Sequence, residues 1–126
     1  MSKLEDLPDR ELDALFAEKV LGCPRPFDHI CGLLVDPSWD APDGWTGIVE
    51  QDSPHKEIGW LVPDFTRSLD AAWKGVEKLD AWSVDFTRLG CWQFNLGVAD
   101  DDIETASDSP ARAVVLACLK AKGVEL

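Results

Sequence analysis

The sequence predicts an α+β fold: a small, mostly antiparallel sheet layered between helices, an α/β/α sandwich with three main helices and about four short strands. Three observations carry that expectation. Two stretches repeat apolar residues at helical spacing, a third apolar run is bounded at both ends by residues that start and stop helices, and two further runs alternate apolar and polar residues across a glycine. At 126 residues, 45% of them hydrophobic, the chain has enough apolar material for a core and reads as one globular domain over residues 1–126.

The first helix is expected over roughly residues 8–21, within "LPDRELDALFAEKVLGC". Pro8 suits a first turn, and the acids beside it suit a positive helix N-terminus. Leu12, Leu15, Phe16, Val20 and Leu21 form one apolar stripe, and Gly22 and Pro24 end it. The Pro-, Gly- and Asp-rich stretch that follows holds "CGLLV", "GWTGIVE" and "PHKEIGWLVPD", short apolar runs with the character of strands.

"FTRSLDAAWKGVEKLDAW" predicts the second helix, with Leu69, Ala72, Trp73, Val76 and Leu79 on one side and Asp70, Lys74, Glu77 and Lys78 on the other. Thr66 is its expected N-cap. Trp82, Val84 and Phe86, then Trp92, Phe94 and Leu96, alternate with polar residues on either side of "RLGC", a β-hairpin signal. In "SDSPARAVVLACLKAKGVEL" Ser109 can cap, Pro110 takes the first helical position and Gly123 lies just past the end, so the third helix is framed at both termini. Its middle, "AVVLACL", is apolar on nearly every side and must be covered on most of them. Trp60, Trp73, Trp82 and Trp92 fall within these elements, where large rings supply core area.

Charge narrows function. Asp and Glu number 24 against 12 Lys and Arg, a formal net charge of −12, which repels nucleic acid and anionic lipid and steers the protein toward basic surfaces. The bland reading is that acidity only keeps a small protein soluble. No run of about eighteen apolar residues is present, and "MSKLEDLPDRELD" is acidic where a secretory signal is basic and then apolar, so the expected location is the cytoplasm. Cys23, Cys31, Cys91 and Cys118 form no CxxC pair and are expected as reduced, mostly buried thiols.

Catalytic vocabulary is sparse. His29 and His55 are the two histidines, and no HExxH, GxSxG or glycine-rich phosphate loop accompanies them. Cys31 with His29 is the nearest thing to a nucleophile and base, but side chains at i and i+2 diverge, and the expectation is a packed Cys and a surface His. The expectation is a protein without catalytic residues, cofactor or metal.

Two acid-rich stretches are candidates for contact with a partner. "GVADDDIETASDSP", residues 97–110, holds five acids and no base, among them Asp100, Asp101, Asp102 and Glu104. It lacks the alternate acids, the sixth-position glycine and the distant Glu of a calcium loop, and adjacent like charges favour an exposed, hydrated connection. "DPSWDAPDGWTGIVEQD", residues 36–52, again holds five acids and no base, with Asp36, Asp40 and Asp43 interleaved with Trp39 and Trp45. Indoles rimmed by carboxylates fit an interface with a basic protein; the alternative is that the two rings tack a long loop onto the core.

Three blocks carry a family resemblance: "RELDALFAEKVLGC", "VPDFTRSLDAAWKGVEKL" and "ASDSPARAVVLACLKAKGVE", in that order. Covering roughly half the chain and all three expected helices, they resemble the phage ABA sandwich domain, a family of small bacteriophage proteins. Cys23 stands where the family carries an aromatic, and "FTRS" replaces its "YSTD", both conservative for folding. The resemblance implies a sheet between helices and a phage or prophage origin, and it implies no catalytic residues. Together with the charge it favours an inhibitor that docks on the nucleic-acid-binding surface of a host defence complex, of the anti-CRISPR or DNA-mimic type. Two alternatives stand beside it. One is a protein that sequesters a small nucleotide immune signal, against which the candidate helix N-termini carry mainly Asp and Ser, with Arg67 and Arg112 the only obvious cations. The other is a structural or assembly accessory of the virion.

Overall fold

A computed structural model describes residues 4–30, 32–42, 44–98 and 101–124. The first helix, α1, spans Asp9–Leu15 and runs on as a π-helical turn over Phe16–Val20. Pro8 occupies the N-cap rather than the first helical position, and its carbonyl accepts from the Glu11 and Leu12 amides. Leu12, Phe16 and Val20 are buried, as the apolar stripe predicts. Four strands follow, β1 at Phe27–His29, β2 at Gly32–Val35, β3 at Thr46–Glu50 and β4 at Ser53–Leu61. Then come α2 at Leu69–Leu79, β5 at Ser83–Leu89, β6 at Cys91–Val98, β7 at Asp101–Ser107 and α3 at Pro110–Ala121.

The chain is α+β, with three helices and, among the described residues, seven strands in two open antiparallel sheets, in keeping with a sandwich. One sheet runs β1-β2-β4-β3 and the other β5-β6-β7. The expectation of about four strands in one sheet is therefore corrected. The expected strands all form; β1, three residues long, and the acidic β7 are additional.

The core is centred on α3, whose residues from Ala113 to Leu119 are all buried. It packs on β6 and β7 on one side and on α2, α1 and the π-helical turn on others, which is why its sequence is apolar all round. Ser109 accepts from the Arg112 amide, Pro110 opens the helix, and Gly123 beyond its end takes φ +73°. On α2, Gly75 allows close approach: a Cβ there would sit inside the contact shell of the Phe16 ring, so the helices touch through glycine. No helix among the described residues is long and apolar enough to cross a membrane.

Two local expectations are overturned. The N-cap of α2 is Ser68, whose Oγ accepts from the Ala71 amide at 3.3 Å, and not Thr66. Thr66 is instead a buried junction: its amide donates to the Asp13 carboxylate at 2.9 Å, and its carbonyl accepts from the Ser109 hydroxyl at 3.2 Å. One residue thus ties α1, the approach to α2 and the cap of α3. Trp82, expected in the core, is 61% exposed, because it precedes an edge strand and lies across the outside of the sheet over Gly97.

Candidate partner-binding site

The stretch 97–110 is not a hydrated connection. Seven of its residues form β7, paired with β6 from Trp92↔Ser107 to Val98↔Asp101. Ile103 and Thr105 alternate inward, and the Thr105 hydroxyl donates to the Ala113 carbonyl of α3 at 2.6 Å. Asp102, Glu104 and Ala106 alternate outward and are exposed. The strand forms because its inward residues have a helix to cover them, while the acids between them keep their water.

Register then assembles an outer face that the sequence reading missed. Asn95 of β6 lies between Asp85 of β5 and Glu104 of β7, and Gly97 lies between Ser83 and Asp102. Directly opposed residues share a face, so Asp85, Asp102 and Glu104 stand on one surface with Gln93 and Asn95 between them. Gln93 Nε2 donates to Glu104 Oε1 at 2.5 Å, which holds one carboxylate in place. Trp82, over Gly97, borders the same face. Asp85 was the recoverable residue, since it alternates with Val84 and Phe86 and so must face away from the core. Asp101, paired with Val98 at the strand's start, belongs to the opposite parity. Asp100 lies outside the described residues.

The second acidic stretch is built differently. Between β2 and β3 it forms a strap whose two indoles meet edge-on, centroids 5.3 Å apart, with the Trp45 ring 6.1 Å from the buried Phe65 ring. Trp60 Nε1 donates to the Trp39 carbonyl at 2.9 Å. Both indoles are half-buried and pack on the core, so their area holds the strap down. Asp36 and Asp40 stay exposed. Asp36 Oδ1 accepts from the Ser38 hydroxyl at 2.7 Å and from its amide at 2.8 Å, and these bonds hold its carboxyl below the usual carboxylate range. Asp43 lies outside the described residues. The structure therefore gathers Asp102 and Glu104 on one sheet and Trp39 and Trp45 on a strap belonging to the other, and does not merge them into one patch.

The arginines considered for a phosphate are engaged, and two of the cysteines are buried. Arg112 donates to the Asp9 carboxylate and, at 2.9 Å each, to the carbonyls of Glu5 and Leu7, which pins the N-terminal segment to α3. Arg67 stands 3.9 Å from the same Asp9. Both cations of the phosphate reading thus share a carboxylate. Burial pushes the Cys23 thiol up to about 11 and the Cys118 thiol up to about 12, so neither supplies thiolate near neutrality. Cys23, Cys91 and Cys118 are free; Cys31 and the side chain of His55 lie outside what the structure describes.

No family model matches the chain, and no curated protein matches it. A solved structure is similar: a phage protein from Bacillus cereus ATCC 14579, with a TM-score of 0.60 at 19% sequence identity, covering 95% of this chain and 92% of that one. The two share a fold along nearly their whole lengths.

Proposed function

We propose that the protein is a phage- or prophage-encoded binding protein without turnover of its own, which docks its acidic sheet face on a basic, nucleic-acid-binding surface of a host protein complex and so blocks a defence function in the bacterial cytoplasm. The observation that carries this reading is the register that sets Asp85, Asp102 and Glu104 on one outward face beside the exposed Trp82. Carboxylates sharing one sheet face, with one large ring at its border, offer charge for steering and an anchor for affinity. The net charge of −12 extends the same field over the molecule. The resemblance noted in the sequence and the similar fold of a phage protein support the origin.

The test is capture from host lysate by the tagged protein, followed by competition. The captured protein should be released by DNA or RNA, and the variant Asp85→Lys/Asp102→Lys/Glu104→Lys should fail to hold it. A complex that survives both excess nucleic acid and the triple reversal would remove the reading.

A further inference from the structure

We infer that the cleft between the strap and α2 is a binding site for a small, flat aromatic anion, a site separate from the acidic sheet face and independent of the docking proposal. The cleft measures about 530 Å³, within the usual range of roughly 300–1,000 Å³ for small-molecule sites. Its walls are largely apolar: the half-buried Trp45 ring lies over the buried Phe65, with Leu21, Pro42, Pro63 and Ala71 around them. Trp45 is itself buttressed by Trp39 and Phe65, so the wall exists before any ligand arrives.

Charge at the mouth sets the ligand's polarity. Lys74 and Lys78 line it one helical turn apart, with Asp70 toward the start of α2 and Glu77 beside Lys74 at 3.9 Å. Eight residues of helix put Asp70 and Lys78 about 12 Å apart, so the cleft has an anionic end and, with Glu77 set against Lys74, an opposite end left cationic by Lys78. A planar ring system lying along Trp45, with a carboxylate or phosphate at its end, satisfies the apolar wall and the lysines together. A neutral ring satisfies only the first.

The probes are 2-naphthoate and its neutral counterpart 2-naphthamide, titrated into the whole protein with the Trp45 indole N–H resonance followed by NMR and assigned with Trp45→Phe. Naphthoate should move that resonance saturably and bind about tenfold more tightly than the amide. Lys74→Gln/Lys78→Gln should remove the preference and leave amide binding unchanged. Ala71→Trp, its folding checked by thermal melting, should block both probes. Equal affinity for the two probes, shifts centred away from Trp45, or no saturable binding to the folded parent would each overturn the inference.

Discussion

The two acid-rich stretches, residues 97–110 and 36–52, have the same number of acids and no base, yet they become different structures. The first is a strand whose alternate residues Ile103 and Thr105 reach inward to α3 while Asp102 and Glu104 face out. The second is a strap held by two indoles, with Asp36 and Asp40 exposed. Charge count decided neither outcome. What lies between the acids did: Ile103 and Thr105 at period two make a strand, whereas Pro37 and Pro42 with Trp39 and Trp45 make an irregular segment clamped by rings. An acidic strand in register with its neighbours also adds its carboxylates to those of other strands, and an isolated strap does not.

The comparison breaks most completely where β7 loses its support. Leu116→Ala, in the buried middle of α3 against which β7 lies, should cost about 2–5 kcal/mol in denaturant unfolding. An unchanged midpoint would show that the strand does not depend on the helix.

A second prediction concerns the junction at Thr66. Burial foremost, against the pull of the Thr66 amide, raises the Asp13 carboxyl from 3.8 to about 6; Asp64 and Asp9 add to the rise. The folded pKa lies above the unfolded one, so stability from this group is complete below about pH 4 and is lost as pH rises through about 6. Asp13→Asn keeps an acceptor for the Thr66 amide and removes the titration. Its stability relative to the parent should therefore climb by about 2 kcal/mol between pH 4 and pH 7. A difference that is flat across that window would contradict the buried, proton-linked carboxyl.

The strap should be cheaper to disturb. Trp45→Ala removes a half-buried ring from Trp39 and Phe65 and should cost about 2 kcal/mol, less than a fully buried aromatic. Faster amide exchange in residues 36–45 with β7 unaffected would sharpen the contrast; exchange rising equally in both would erase it.

The helices and the hairpin were legible because their signals are local. Ser109, Pro110 and Gly123 frame α3 by their own backbone chemistry, and Gly90 at φ +83° turns β5 into β6 where "RLGC" places it. The N-cap of α2 was misplaced because Thr66 and Ser68 have equivalent side chains for the task. Only the tertiary bond from the Thr66 amide to Asp13 assigns the cap to Ser68. β7 was hidden by its adjacent aspartates, residues poor in strands, although Ile103, Thr105 and Ser107 already alternated. Asp85 joined the site through register with Asn95 and Glu104, which no single stretch of sequence contains.

The smallest expected change in stability accompanies the largest expected change in binding. Reversing the exposed Asp85, Asp102 and Glu104 to Lys should shift unfolding by no more than about 0.5 kcal/mol per site. The decisive measurement is the association rate of the captured host protein with the parent and with this triple variant, at low and at high salt. The docking account predicts that the parent associates about tenfold or more faster than the variant at low salt, that salt removes most of the difference, and that dissociation changes little. Equal association rates at both salt concentrations would show that the carboxylates of the β5–β6–β7 face are solvated surface and that the partner binds elsewhere.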